Sequence, residues 1–237
     1  MATPAEVAAY RAAQQDVVTL ATADLNRWWS QVSGWAPDAL TVAMETFTAD
    51  LVAAYGDVAA LIAADWYDDL RERADAPGRF RAPMAGPAPQ EQAAAVARWA
   101  AGPLYSDQPD PSRALNLLAG AVQRLVLQPA RATISSAAGR DPSRPRWARV
   151  PGRAKPCAFC RMLASRGAVY HSQAAAGGSR MTRYHNKCGC TPTPIWTGQR
   201  EPYDVDALLQ EYNNARSVAG GDPKAIAAQM RADLGIN

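Results

Sequence analysis

The sequence has little of several features that commonly carry function. Of its 237 residues, four are cysteine and two are histidine. No run approaches the ~18 uninterrupted apolar residues of a membrane helix, and no glycine-rich phosphate loop or dinucleotide fingerprint is present. The first residues, MATPAEVAAYRAAQQD, lack the basic, apolar and small-residue parts of a secretory signal. We therefore expect no membrane partner and synthesis in a cytoplasm.

Acidic residues are nearly missing from one part of the chain. Residues 140–200 hold 12 basic side chains and one acidic side chain, Asp141, for a net charge of +11. The rest of the chain has 13 basic and 21 acidic side chains, for a net charge of −8. This asymmetry predicts that one part meets a polyanion while another meets a basic or neutral surface.

Residues 1–139 have the pattern of a helical domain. Thr3, Pro4 and Glu6 form a predicted capping box, and apolar residues then recur every three or four positions. Three such stripes predict an antiparallel helical layer, with a break or kink at Gly56. Four prolines make 75–90 a linker or exposed loop, and Pro129 is expected to kink or divide the last helix of the domain.

The remaining chain changes character twice. Residues 140–156 are predicted to be a basic linker, and 157–200 a small module with short strands. Residues 201–237 predict two amphipathic helices, at about 204–217 and 223–234, with Asp222 as a cap of the second. The predicted fold class is mainly α, with a small α+β C-terminal module stabilised by zinc.

All four cysteines lie in the predicted module and have the spacing of metal ligands. Cys157 and Cys160 form a Cys-x-x-Cys pair, and 25 residues later His185, Cys188 and Cys190 form a His-x-x-Cys-x-Cys group. Two thiolates on one turn and two further ligands complete a tetrahedral zinc site. Five candidates compete for four places, and the spacing does not choose among the last three. The alternative is a set of inert thiols or a disulfide.

A structural rather than catalytic metal is expected. Residues 150–200 contain no Asp or Glu, whereas a catalytic zinc keeps a position for water and usually a nearby base. A closed site would replace the apolar core that this short segment cannot build, which ties metal binding to folding.

A basic stretch precedes the cysteines and is interrupted by Trp147. Such a stretch predicts contact with nucleic acid or an acidic protein surface, and its alternative is a solvated connection kept extended by proline and charge. The candidate contact residues are Arg140, Arg144, Arg146, Arg149, Arg153 and Lys155.

Two further groups suggest catalysis weakly. The acids Asp65, Asp68, Asp69 and Glu72 are better explained as the solvated face of a helix than as paired catalytic carboxylates. His171 beside Ser172 has no identifiable acid partner and no nucleophile motif around it. We therefore predict no catalytic residues.

Three segments together resemble a known family. YGDVAALIAADWYDDLR, PCAFCRMLASRGAVY and YHNKCGCTPTPIW are similar to the Mu F-like minor capsid, or head morphogenesis, proteins of tailed bacteriophages. The resemblance covers most of residues 40–200, and its most specific part is the cysteine and histidine pattern. The Ala- and Arg-rich composition suits phages or prophages of actinobacteria.

The resemblance implies a structural virion protein, present in few copies in the capsid interior or at the portal vertex. It implies the portal protein, the major capsid protein or a scaffold as partners, with phage DNA as a further contact. The family's metal ligands correspond to Cys157, Cys160, His185, Cys188 and Cys190. About 47 residues follow Cys190, too few for a typical enzyme domain, so we expect the morphogenesis module alone.

Two other functions remain as alternatives. A capsid maturation protease would need a catalytic constellation or an open metal site. A zinc-dependent nucleic-acid-binding protein would need a helix or ribbon that enters a groove.

Overall fold

The computed structural model describes residues 1–152, 156–170, 184–186 and 188–236. These residues form a mainly helical fold with a small two-stranded sheet, which confirms the predicted fold class. In chain order the elements are α1 (Pro4–Val32), α2 (Pro37–Arg73), α3 (Gln90–Ala101), a 3-10 turn (Gly102–Tyr105), α4 (Pro111–Arg140), β1 (Arg146–Val150), α5 (Ala158–Ala164), β2 (Thr191–Ile195), α6 (Val205–Ala219) and α7 (Pro223–Leu234).

The start of α1 is the predicted capping box. The Thr3 hydroxyl accepts a hydrogen bond from the backbone N–H of Glu6 at 3.2 Å, and the Glu6 carboxylate accepts one from the N–H of Thr3 at 2.7 Å. Two of the amide groups that a helix start leaves unpaired are thereby satisfied.

The predicted helix breakers Gly56 and Pro129 lie inside continuous helices. The chain around Gly56 forms one helix, α2, so the predicted break there is wrong, and Pro129 does not divide α4. The two residues face each other, because a Cβ on Gly56 would lie 3.1 Å from Cγ of Pro129. Gly56 therefore allows α2 and α4 to approach closely, and tertiary packing outweighs its low helix propensity.

Helix α2 is long and apolar enough, by length and composition, to cross a membrane. In the fold it packs against α1, α3 and α4. A helix covered on several sides needs an apolar composition, whether or not a membrane is present.

The proline-rich segment after α2 has no helix or strand between residues 74 and 89, as its composition predicts. It is nevertheless fixed to α2 through Asp68, one of the acids expected on a solvated face. The Asp68 carboxylate accepts hydrogen bonds from Arg81 at 3.2 Å and from the backbone N–H of Ala82 at 3.0 Å.

The predicted basic linker at 140–156 contains a buried strand, so its description as a linker is wrong. Strand β1 pairs antiparallel with β2, in a register that runs from Arg146 opposite Ile195 to Val150 opposite Thr191. Trp147 and Val150 belong to the same apolar core as the helices. Pairing partners some 45 residues apart are invisible to local composition, which is why proline and arginine suggested a solvated segment.

The C-terminal helices form as predicted, with Asp222 as the predicted cap of α7, and Asp204 caps α6 in addition. They pack on α5 through a second, smaller core of Ala158, Ala215, Ile226, Ala227 and Met230. Arg161 of α5 and Glu211 of α6 form an ion pair at 2.5 Å. The helices after residue 200 therefore rest on the segment that carries the first two cysteines.

Asp141, the lone acid of the basic segment, is a buried anchor. Its side chain is 0% exposed and pairs with Arg71 of α2 at 2.9 Å. It also accepts hydrogen bonds from Tyr67 at 3.0 Å and from the Ser143 hydroxyl at 2.6 Å. Burial raises the pKa of Asp141, whereas the hydrogen bonds from Ser143, Arg71 and Tyr67 lower it. The hydrogen bonds have the larger effect together, so the pKa lies below its ordinary value.

The backbone at Gly152, just after β1, lies directly against the backbone at Gly189, between Cys188 and Cys190. A Cβ on Gly152 would overlap the carbonyl oxygen of Gly189 and would lie 2.7 Å from Nε of Arg11. Because the obstacle is backbone, only glycine fits at position 152.

We predict that Asp141→Asn lowers the free energy of unfolding by about 3 kcal/mol at neutral pH, because Arg71 is left buried without its counter-charge. The folded-state pKa is lowered, so this stabilisation is complete above the unfolded value of about 3.9 and is lost as the pH falls through the folded value. Urea unfolding should therefore show that the free energies of unfolding of the wild type and Asp141→Asn differ less at acidic pH than at neutral pH. Arg27→Gln is the control, since the pair that it removes, with Asp24, is exposed and is worth under about 1 kcal/mol. Equal effects of the two variants would contradict the buried anchor.

We also predict that Gly152→Ala destabilises the protein by about 1–3 kcal/mol or more, as overpacking against fixed backbone does. Gly34→Ala is the matched control, because nothing lies within 4 Å of a Cβ there. Thermal unfolding of both variants measures the difference. An unchanged melting temperature for Gly152→Ala would show that the two backbone segments do not meet.

Candidate metal centre

The five predicted ligands come from two short segments. Cys157 is the residue that precedes α5, and Cys160 lies in the first turn of that helix. His185, Cys188 and Cys190 lie in the segment that leads into β2, whose first residue is Thr191. The helical turn and the β1–β2 pairing therefore bring together ligands 25 or more residues apart.

Three pairs of atoms in the cluster lie at the distance expected for two ligands of one tetrahedral ion. The Sγ atoms of Cys157 and Cys160 lie 3.3 and 3.7 Å from Nε2 of His185, and the Sγ atoms of Cys160 and Cys188 are 3.7 Å apart. Bonds of about 2.3 Å to sulfur and about 2.1 Å to nitrogen would place two sulfurs about 3.8 Å apart, and a sulfur and a nitrogen about 3.6 Å apart. The cluster could therefore hold a metal ion.

Cys190 belongs to the same cluster. Its Sγ lies within 4.8 Å of those of Cys160 and Cys188, and Cys160 is also within that distance of Cys157 and His185. Cys160 thus joins the two groups of three. All four cysteines are free thiols in this structure, and three of them are buried, while Cys157 is half-buried and His185 exposed.

The thiols and the imidazole of the cluster shift one another's pKa. Hydrogen bonds to Cys160 and His185 lower the pKa of Cys157 to about 4, although burial raises it. Contacts with Cys157, Cys188 and Cys190 raise the pKa of Cys160. Contacts with Cys157 and Cys188 raise the pKa of His185 to about 10. A metal would displace the protons of these groups, since cysteine binds a metal as thiolate and histidine as neutral imidazole.

Arginines surround the cysteines on the side of the helical body. Arg131 of α4 donates a hydrogen bond to the carbonyl oxygen of Cys188 at 2.8 Å, and Arg149 of β1 lies 3.9 Å from the Cys188 Sγ. Both guanidinium carbons lie over the Tyr184 ring, 3.9 Å from its centroid. Arg124, also on α4, donates to Asn186 at 3.1 Å. The metal module is therefore attached directly to α4.

The predicted partner-contact arginines divide into two groups. Arg140, Arg144 and Arg146 are exposed, and the structure leaves them accessible to a partner. Arg149 is 0% exposed, so its expected role at a partner surface is wrong: β1 is buried on both faces from Trp147 to Val150. Arg153 and Lys155 lie outside the described residues.

The described part of the chain does not bring the acids considered for catalysis into a catalytic site. Asp68 fixes the proline-rich segment, as described above, while Asp65 and Asp69 are exposed. His171 and Ser172 lie outside the described residues. The residues that sequence reasoning missed are Arg131 and Tyr184. No spacing rule marks a helical arginine 57 residues before the cysteine that it contacts.

Comparison with known proteins identifies the family of this chain. No curated protein and no solved structure matches the chain. One family model, described as VG15 protein, matches residues 1–215, a range that includes the helical body and all five members of the cysteine and histidine cluster. The chain therefore belongs to the VG15 protein family, a family of bacteriophage-associated proteins.

Proposed function

We propose that the protein is a structural component of a phage head, a minor capsid or head morphogenesis protein that acts at the portal or capsid during assembly. The observation that carries the proposal is a cysteine and histidine cluster at ligand distances, built into the helical body of a phage-family protein. The resemblance to Mu F-like proteins supports the finer assignment. The site of action would be the capsid interior or the portal vertex.

We propose zinc as the metal, in a structural role. Cysteine and histidine ligands suit zinc, and the described contacts of the cluster involve arginine, tyrosine and backbone groups rather than a carboxylate. With four protein ligands the ion would have no place for a reacting water. This donor set favours a non-enzymatic protein over the protease alternative.

The charge distribution supports different partners for different parts of the chain. The exposed Arg140, Arg144 and Arg146 lie close together in the chain where α4 ends and β1 begins. Clustered guanidinium groups suit phosphates of packaged DNA or an acidic scaffold surface. The rest of the chain, with net charge −8, would dock on the portal protein or the major capsid protein.

The assembly role is tested in the phage or prophage that encodes the chain. We expect deletion of the gene to give aberrant or DNA-free heads in electron micrographs, and complementation to restore them. Mass spectrometry of purified particles should detect the protein. Normal infectious particles without it, or its absence from wild-type particles, would contradict the proposal.

The zinc site is tested by elemental mass spectrometry of protein purified under reducing conditions. We expect about one zinc per chain. Cys160→Ser should abolish binding, because Cys160 contacts both His185 and Cys188. Cys190→Ser is the matched variant, and retention of the metal would leave Cys157, Cys160, His185 and Cys188 as the ligands. Loss of zinc in both variants would place Cys190 among the ligands, and wild-type protein without metal would overturn the site.

A further inference from the structure

Two arginines from different elements meet at one tyrosine beside the cluster. Arg131 comes from α4 and Arg149 from β1, and their guanidinium carbons both lie 3.9 Å from the centroid of Tyr184. Tyr184 directly precedes the predicted ligand His185. Cation–π contacts of this kind are strongest when they are removed from water, and here both arginines are buried, at 8% and 0% exposure.

Both arginines also reach the same cysteine. Nη2 of Arg131 donates to the backbone oxygen of Cys188 at 2.8 Å, and Nη2 of Arg149 lies 3.9 Å from its sulfur. One contact fixes the backbone of Cys188, and the other places positive charge next to its Sγ. Cys188 is therefore held from two elements that lie outside the cysteine segments.

The charge of Arg131 requires compensation. Within the described part of the chain, its Nη1 has no hydrogen-bond partner and its guanidinium has no carboxylate at ion-pair distance. A buried cation without an opposite charge is costly. Zinc bound by three thiolates and one neutral imidazole carries one net negative charge, which would supply the compensation at this position.

We propose that Arg131 and Arg149 are positioning residues for the metal: with Tyr184 they hold Cys188 in place and offset the negative charge of the metal–thiolate centre. The inference rests on the proposed zinc site. Its consequence is that α4, a helix of the N-terminal body, determines how long the metal is retained. Residues outside the ligand shell commonly change metal affinity by about 10–100-fold.

The test is the rate at which zinc passes from the full-length protein to a chromophoric chelator. Arg131→Met keeps much of the apolar length of the side chain and removes the charge. We expect it to release zinc at least about tenfold faster than the wild type. Arg124→Met is the matched control on the same helix, because the described contact of Arg124 with the module is to the side chain of Asn186 and not to a cysteine. It should release zinc close to the wild-type rate.

A second variant and a second readout separate charge from folding. Arg131→Lys keeps the charge and loses the planar group, so its release rate should lie between those of the wild type and Arg131→Met. In cobalt-substituted protein, Arg131→Met should keep the visible bands of tetrahedral cobalt while its sulfur-to-cobalt charge-transfer band shifts. Circular dichroism checks that each variant is folded.

The outcomes distinguish this inference from the zinc site itself. Zinc-loaded wild-type protein with unchanged release from Arg131→Met would overturn the inference and leave the site intact. Equally fast release from Arg131→Met and Arg124→Met would overturn it as well, because loosened docking would then explain both rates. Wild-type protein without zinc would contradict the site and the inference together.

Discussion

The structure depends on α4 having two sets of contacts along its length. Through Gly56 and Pro129 it packs closely against α2, and directly after its last residue Asp141 pairs with Arg71. Through Arg124 and Arg131 it holds the segment that carries Asn186 and Cys188. The helical body and the cysteine cluster are therefore parts of one packed unit, although their compositions differ sharply.

Because of this arrangement, not all of the positive charge in residues 140–200 lies on the surface. A net charge of +11 over residues 140–200 suggests a surface for a polyanion, yet part of that charge is directed inward. Arg149 is buried beside the cysteines, and Arg161 pairs with Glu211. Buried arginines near a cluster of thiols fit an anionic metal–thiolate centre. In the described part of this segment the exposed arginines are Arg140, Arg144, Arg146, Arg166 and Arg200, and these remain available for DNA or an acidic partner.

Much of the fold and of the candidate site follows from the sequence. The capping box at Thr3, the two C-terminal helices with the cap at Asp222, and the spacing of the cysteines are local signals, and each is confirmed as an element or a cluster. The failures are non-local. Gly56 and Pro129 weaken helices in isolation but meet at a helix crossing, and β1 finds its partner only at residues 191–195. Arg131 reaches the cluster because tertiary packing brings α4 there, which no motif records.

The central claim is that metal binding and the folding of α4 are coupled, and hydrogen–deuterium exchange with and without a zinc chelator tests it most directly. The account predicts that removal of the metal lowers protection in the C-terminal half of α4 around Arg131, as well as in the cysteine segments, while the N-terminal half of α1 keeps its protection. Loss of protection confined to the cysteine segments, with α4 unchanged, would show that the metal module folds independently and would contradict the account.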